Sequence, residues 1–355
     1  MKAWLLNPSS KELTLADRPV PKPRRGAVTV RIDAAMVLGY MKELLSGGRG
    51  QTFPTRPFVP GTNAVGVIAE IGQGVYHAKV GQRVSLHPHL VAEERIAAPA
   101  QLLLGHPARF GEASEDLQAD WLDGTFAEYV EWPASLTTPI DALGAMPAPQ
   151  ALGLSKAVVP YGGLLRIGVL PGEVVAINGA SGYFGSAGVL VAVAMGASRV
   201  LAIGRDAKVL GDLATAVGGR VIPVPLSGDA ESDTETIRKA AGGSIDAALD
   251  IVGAKSAAAT GSVLRSLRRG GRLAMMGSCS EPLRIGFGEM LANDWLIAGQ
   301  FMYPKDAPTR LVQLAVSGQL RLDVVRPRLY PFADLPKAMN EAVAMRGLEL
   351  TALTN

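Results

Sequence analysis

The sequence predicts an α/β chain of two domains, one mostly β and one built on a doubly wound parallel sheet. Three observations carry this. The 355 residues exceed what one ordinary hydrophobic core organises, so two domains are expected. Residues 1–150 read as short strands broken by frequent prolines. From about 151 onward, apolar runs alternate with helical segments, and the first run passes straight into a glycine-rich turn.

In the first part, "AVTVRIDAAMV" (27–37) and "NAVGVIAEIG" (63–72) carry β-branched residues at period two, the signature of strands with one buried face. Between them, "RPFVPGTN" (56–63) sets a sharp turn at Gly61, Thr62 and Asn63. Residues 92–124 stand apart from the strand framework; they are alanine-rich, acidic toward their end and helical in part. In the second part, "EVVAIN" (173–178) is a buried strand, followed by glycines and the small-residue helix "SAGVLVAVAMGA" (186–197). "RVLAIG", "RVIPVPL", "SIDAALDIVG" and "RLAMMGS" supply further strands, with helical segments between them. "WLIAGQFMY" (295–303) reads as an edge strand and "APTRLVQLAVSG" (307–318) as a helix.

Composition narrows the function. Apolar residues make up 48% and charged residues 19%, a globular balance without a disordered signature. The 35 Lys and Arg nearly cancel the 32 Asp and Glu, leaving +3, and no basic cluster is interleaved with aromatics. A nucleic-acid partner is therefore not expected. The single cysteine, Cys279, excludes an intramolecular disulfide and any multi-cysteine zinc site. The first residues lack the pattern of a secretory leader. The longest apolar stretch, 187–197, is too short to cross a bilayer. The expectation is a soluble cytoplasmic protein with no membrane partner.

"VVAINGASGYFGSAG" places Gly179, Gly182 and Gly185 between a strand and a helix. Glycines there permit a tight turn and let a pyrophosphate approach the backbone at a helix N-terminus. The spacing is one residue longer than the common dinucleotide fingerprint, but the loop opens the alternating strand–helix series where that fingerprint belongs. An acidic residue about 20 positions on would favour NAD by binding the ribose 2′-hydroxyl. Here the second strand ends in Gly204 and Arg205, which removes a repelling carboxylate and supplies a guanidinium for a 2′-phosphate. NADP(H) is the expected cofactor, with Asp206, the next residue, able to reach the ribose instead.

These residues add up to a family. The chain resembles the medium-chain dehydrogenase/reductases through "FVPGTNAVGVIAEIGQGV", "VGQRVSL", "GTFAEYV", "GVLPGEVVAINGASGYFG", "DIVG", "RRGGRLAMMGS" and "FADLPKAMNEAV", spread over its whole length. The resemblance implies a GroES-like catalytic domain from residues 1–150 and 301–355, and a Rossmann domain from 151–300. It also implies a homodimer joined through edge strands, here "WLIAGQFMY". Zinc-dependent members have a His-Glu pair after the turn glycine, where Thr62 and Asn63 stand. Their cysteine ligands fall at positions matching Leu38 and Ser155, and their four-cysteine lobe matches the cysteine-free 92–124. The chain is thereby similar to the zinc-free quinone oxidoreductases and double-bond reductases, and no metal is expected. A rival metal site would use His87 and His89, two apart and on one face if on a strand, with Glu93; His77 and His106 complete the histidine set.

Without a metal to polarise a carbonyl, conjugate reduction of an enone or quinone is the less demanding hydride transfer. Charge then appears on an enolate oxygen, which hydrogen-bond donors stabilise. Tyr40 falls where zinc-dependent relatives place the Ser or Thr of a proton relay, and its phenol donates at neutral pH. The Asn63 amide is the expected second donor, with Thr62 beside it. Packing in the cleft wall is the other role open to Tyr40, and a turn cap the other role open to Asn63. By the same resemblance, Ser181, Gly182, Tyr183 and Phe184 face the pyrophosphate, Val252, Gly277 and Ser278 line the nicotinamide side, and Phe301 helps hold the carboxamide. Tyr161 and Cys279 read as structural. The alternatives are a zinc-independent alcohol dehydrogenase or carbonyl reductase, and a non-catalytic NADPH sensor.

Overall fold

A computed structural model describes residues 1–49, 52–92, 96–107, 109–110 and 114–355. In chain order, the elements are β1 (Lys2–Leu6), β2 (Leu13–Asp17), β3 (Ala27–Val37), α1 (Met41–Leu45), β4 (Ala64–Ile71), β5 (Arg83–Leu86) and β6 (His89–Val91). There follow β7 (Gln101–Leu103), β8 (Arg109–Phe110), α2 (Ser114–Asp120), β9 (Tyr129–Pro133), β10 (Thr137–Pro139), α3 (Ala148–Ala151) and α4 (Gly153–Arg166). The alternating region then runs β11 (Val174–Asn178), α5 (Tyr183–Ala194), β12 (Arg199–Gly204), α6 (Ala207–Val217), β13 (Val221–Pro225), α7 (Ala230–Ala241), β14 (Ile245–Asp250), β15 (Gly253–Ala254), α8 (Ala258–Ser266), β16 (Leu267–Met275) and β17 (Ser278–Cys279). The chain finishes with α9 (Phe287–Asn293), β18 (Leu296–Gly299), α10 (Ala307–Val316), β19 (Arg326–Pro331), α11 (Leu335–Ala342) and β20 (Glu349–Thr354).

Two compact units result. The first comprises Met1–Ser155, Pro327–Met345 and Leu350–Asn355, the second Lys156–Arg326 and Arg346–Glu349. The chain therefore rejoins the first unit at Pro327, beyond the 301 that the sequence suggested, because α10 belongs to the second unit. The short segment Arg346–Glu349 also belongs to the second unit, which no sequence signal announced.

The first unit is built on a seven-stranded sheet ordered β10-β5-β4-β3-β20-β19, with β9 also paired to β3. Long β3 alternates apolar side chains and pairs antiparallel with β4, β9 and β20. Two register shifts between β3 and β4 let one strand bend enough to serve all three partners. The expected excursion is a small sheet, β6-β7-β8, followed by α2.

The second unit holds six parallel strands in the order β13-β12-β11-β14-β16-β18. Its core includes Ala176, Leu201, Ile203, Val224, Ala248 and Leu264, all effectively water-free. The central strands β11, β12 and β14 are buried over most of their length and are correspondingly apolar, as strands covered on both faces need to be. The order reverses between β11 and β14, and such a switch point opens a crevice at the carboxyl ends of the strands. As expected, β18 is the edge strand. Among the described residues, no helix is long and apolar enough to cross a membrane.

Candidate functional site

At that switch point the second unit has a cleft of about 650 Å³, lined by Asn178, Gly179, Ser181, Gly182, Gly204 and Arg205 together with Val252 and Lys255. The glycine loop is shaped by close approach. Gly179 adopts φ +91°, open to glycine at little cost, and a Cβ there would meet Val252. A Cβ on Gly185 would sit 2.0 Å from the Gly179 carbonyl oxygen, so the first turn of α5 packs directly on the loop. Gly182 is the N-cap residue of α5 and offers no side-chain cap of its own. The first backbone N–H groups of α5 are thus left for an anion, the arrangement a dinucleotide pyrophosphate requires. The residues present fit such a cofactor.

Six of the expected cofactor residues line the cleft: Gly179, Ser181, Gly182, Gly204, Arg205 and Val252. The other six lie outside its lining. Tyr183 and Phe184 occupy the first turn of α5 with their rings edge to face, 4.9 Å between centroids. Gly185 is the packing contact just described. Gly277 backs Val252, whose carbonyl oxygen would be 2.3 Å from a Cβ there. Ser278 pairs with Gly253 across β15 and β17, and Phe301 follows β18 on an exposed edge.

Gly204 carries more than an absent carboxylate. A Cβ at this position would lie 2.7 Å from the Ser181 hydroxyl oxygen, so the space an acidic side chain would need is filled by a hydroxyl. Asp206 is engaged elsewhere: its carboxylate accepts from the Val209 N–H at 3.0 Å and caps α6. Arg205 stands exposed at the cleft, with Lys255 as a second cation that sequence reading missed.

Sequence reading also missed the polar brace beneath the cleft. Buried Asp250 accepts from the Thr260 hydroxyl at 2.6 Å, the Asn178 amide at 3.2 Å and the Val252 N–H at 3.4 Å. Burial raises its pKa, while these three bonds pull it back. The brace fixes the ends of β11 and β14 against each other; the "DIVG" stretch held the signal, in an aspartate closing an otherwise apolar strand.

In the first unit, Tyr40 precedes α1. The Arg49 guanidinium lies over its ring at 4.8 Å, and His106 meets it edge to face at 6.5 Å. Among the described residues, the Tyr40 hydroxyl has no hydrogen-bond partner. Burial pushes its pKa up to about 12, against a smaller opposing pull from Arg49, so the phenol keeps its proton at neutral pH. Burial likewise lowers His106 to about 4, leaving a neutral imidazole beside it.

The turn at Gly61 answers to packing first. Gly61 has φ +106°, and a Cβ would collide with Thr125 and Phe126. Thr62 and Asn63 follow, both buried. The Thr62 hydroxyl donates to Asn63 Oδ1 at 3.0 Å, and Asn63 Nδ2 reaches the Leu86 carbonyl at 3.5 Å. The expected role of Thr62 as a further donor is thereby corrected, since its proton is spent on its neighbour. Asn63 retains a second amide hydrogen.

By the resemblance, the positions where zinc-type relatives hold a metal correspond to Leu38, Thr62, Asn63 and Ser155. An apolar group, two neutral hydroxyls and an amide do not form the anionic or imidazole donor set zinc prefers. Among the described residues, no group of three or more His, Cys, Asp or Glu is close enough to hold a metal. As for the histidine rival, β5 ends at Leu86 and β6 begins at His89, so His87 lies between the two strands and not on one strand with His89. His87 is buried and His89 contacts Gln101 at 3.0 Å, while His77 contacts the Ala134 carbonyl at 3.1 Å. Glu93 lies outside the described residues.

A doubly wound sheet with a dinucleotide crevice, joined to a mostly β unit, defines a class of two-domain nucleotide-dependent proteins. Comparison with known proteins narrows it. Residues 24–142 match the alcohol dehydrogenase GroES-like domain family, and residues 184–317 match the zinc-binding dehydrogenase family. An alcohol dehydrogenase of Geobacillus stearothermophilus is 30% identical over 328 residues, 90% of each chain. In fold, the chain is similar to the alcohol dehydrogenase TADH from Thermus sp. ATN1, with TM-score 0.82 and 22% identity over 100% of this chain and 99% of that one. It is also similar to a Sinorhizobium meliloti 1021 protein described as a zinc-binding dehydrogenase bound to NADP, with TM-score 0.79 and 21% identity over 100% and 99% of the two chains. The chain belongs to the medium-chain, zinc-type alcohol dehydrogenase superfamily and is a nicotinamide dinucleotide-dependent oxidoreductase.

Proposed function

We propose that the chain reduces an activated C=C bond of an enone, or a quinone, with NADPH and without a metal. The observation that carries this reading is the donor set of the first unit. Where superfamily members place metal ligands stand Leu38, Thr62, Asn63 and Ser155, and the Tyr40 phenol has no hydrogen-bond partner among the described residues. NADPH, when bound, supplies the hydride. The β-carbon of the substrate accepts it, and the electron pair of the C=C bond moves to the conjugated oxygen as an enolate. Tyr40 holds its proton at that oxygen and donates a hydrogen bond to the growing charge, a contribution of roughly 10²–10³ in rate by analogy with oxyanion holes. The remaining Asn63 amide hydrogen is the second donor, oriented by the Thr62 hydroxyl. Proton return to the enolate carbon from water closes the balance.

NADPH is favoured over NADH by three features of the cleft. Gly204 offers no carboxylate, Ser181 fills the space one would need, and Asp206 is committed to capping α6. Arg205, with Lys255 nearby in the lining, is then the partner for a 2′-phosphate. For assembly, the reading is a homodimer through the β18 edge, where Leu296 is 51% exposed and Phe287 and Leu291 of α9 are exposed more fully. A cytoplasmic location completes the reading, consistent with one unpaired cysteine.

One specific finding favours a second reading, the interconversion of secondary alcohols and ketones: the Geobacillus relative is named an alcohol dehydrogenase. The Tyr40 phenol would serve as a donor to a ketone oxygen. Burial raises its pKa, which disfavours the phenolate that alcohol oxidation needs as its base at neutral pH. The test follows reduced-nicotinamide absorbance for chelator-treated protein with NADPH or NADH and an enone, a quinone or a ketone. Chelator-insensitive NADPH consumption with the enone or quinone is the expected result. Turnover confined to the ketone replaces the first reading with the second, and tight NADPH binding without turnover replaces both with a sensor.

A further inference from the structure

A buried lysine sits beside the glycine loop, and the proposed chemistry does not use it. Lys156, early in α4, is fully shielded from solvent. Its Nζ donates to the Gly347 carbonyl at 2.6 Å and to the Glu349 carbonyl at 2.8 Å. The Tyr183 ring lies over the same ammonium, 4.3 Å from its centroid. A buried ammonium is costly, and burial lowers the Lys156 pKa to about 7; two carbonyls and one aromatic face hold its polar end and offset part of that cost.

These contacts converge on one strap. Gly347 adopts φ +53°, and a Cβ there would press on Val209 at 3.0 Å. Its N–H donates to the Ser181 carbonyl at 3.0 Å, and its own carbonyl accepts from both Lys156 and the Ser186 hydroxyl. Ser181 belongs to the glycine loop, and Tyr183 and Ser186 to the first turn of the helix that follows. The strap Arg346–Glu349 is thus bonded directly to Ser181 of the loop and Ser186 of the helix, and Lys156 is the group that grips both the strap and the Tyr183 ring. Backbone N–H groups bind a pyrophosphate well only when already aligned, since ordering them on binding would cost affinity.

From this geometry we infer that Lys156 is a positioning residue for the cofactor: by clamping the Arg346–Glu349 strap and the Tyr183 ring together, it pre-organises the glycine loop for the dinucleotide. The inference rests on the cleft being the dinucleotide site, and nothing in it depends on which substrate is reduced. Lys156 itself touches no reacting atom.

The test measures NADPH dissociation constants by fluorescence titration for the wild type, Lys156→Met, Tyr183→Leu and the double variant, with circular dichroism reporting the fold. Lys156→Met keeps an unbranched side chain of similar length and removes the three donors. It is expected to raise the NADPH dissociation constant about tenfold, the size of one lost charge-assisted contact, with kcat at saturating cofactor little changed. Tyr183→Leu is expected to weaken binding as well, and the double variant to lose less than the sum, because both act through one clamp. A folded Lys156→Met protein with unchanged affinity overturns the inference, as does full additivity. Should Lys156→Met fail to fold, Tyr183→Leu decides alone: weakened binding supports the clamp and unchanged affinity overturns it. Failure of the wild type to bind either NADPH or NADH is a separate result, which refutes the cleft assignment instead.

Discussion

Arg205 offers the sharpest test of cofactor choice. Replacing it with alanine removes the exposed cation at the cleft that a 2′-phosphate would meet, while leaving the glycine loop and its helix untouched. A hydrogen bond to a charged group contributes roughly 1.5–3 kcal/mol, and exposure to solvent places this one at the lower end. About 1.4 kcal/mol corresponds to a factor of ten, so Arg205→Ala should raise the NADPH dissociation constant about tenfold. NADH has no 2′-phosphate and should bind as before. The loss for NADPH should also shrink at high salt, because a rim contact is screened. A companion variant reads the other half of the argument. Gly204→Asp alone forces a Cβ to within 2.7 Å of the Ser181 hydroxyl, so it should weaken both cofactors; adding Ser181→Gly opens the space and should shift preference toward NADH. Fluorescence titration with both cofactors at two ionic strengths is the assay. Equal losses for NADPH and NADH on Arg205→Ala, or none for either, would refute the assignment of Arg205 to the 2′-phosphate.

Four further outcomes are expected. Tyr40→Phe should lower kcat for enone reduction by about 10²-fold with KM little changed, since the phenol acts on charge that develops in the transition state; steady-state kinetics with an unchanged rate would remove Tyr40 from the mechanism. Prolonged chelation followed by added Zn²⁺ should leave turnover unaltered, and any metal-dependent recovery would restore the zinc reading. Buried His87 has its pKa lowered from 6.5 to about 4 by desolvation, so between those values the unfolded state binds more protons than the folded one. Stability should therefore rise with pH across that window and be lost as pH falls through it; His87→Gln should flatten the dependence in urea titrations, and an unchanged slope would assign the acid lability elsewhere. Leu296→Arg on the exposed β18 edge should convert a dimer to a monomer by light scattering, whereas an unaltered mass would locate the contact away from that edge.

How much of this was legible in the sequence depends on the range of the interactions involved. The doubly wound sheet was readable because strands buried on both faces must be continuously apolar, and "EVVAIN" or "SIDAALD" says so locally. The glycine loop was readable because its spacing is itself the geometry. The brace around Asp250 was not, since it joins Asn178, Asp250 and Thr260 from three different elements. The Lys156 clamp was hidden for the same reason: its acceptors lie at Gly347 and Glu349, far along the chain. Thr62 shows a different limit. Its residue type suggested a donor, and only the geometry shows the hydroxyl already bonded to Asn63. Asp206 shows the reverse: its residue type suggested ribose binding, and the geometry shows one of its oxygens capping α6.

The first unit's donor set is self-consistent, and that consistency bears on substrate class. A buried carboxylate or thiolate left without a metal would carry a desolvation cost of several kcal/mol. Leu38, Thr62, Asn63 and Ser155 include no such group, and the Thr62–Asn63 hydrogen bond satisfies one polar atom with another. On the proposed reading, what stabilises developing oxygen charge is the Tyr40 phenol, protonated at neutral pH, and one Asn63 amide hydrogen. Neutral donors offer less stabilisation than a divalent cation, so they suit substrates whose charge is already delocalised when the hydride arrives. Conjugated carbonyls and quinones meet that condition; a simple ketone localises its charge on one oxygen and asks the most of the same donors. If Tyr40 and Asn63 are the donors, as proposed, the expected order of substrates is enones and quinones ahead of ketones, with alcohol oxidation at neutral pH last.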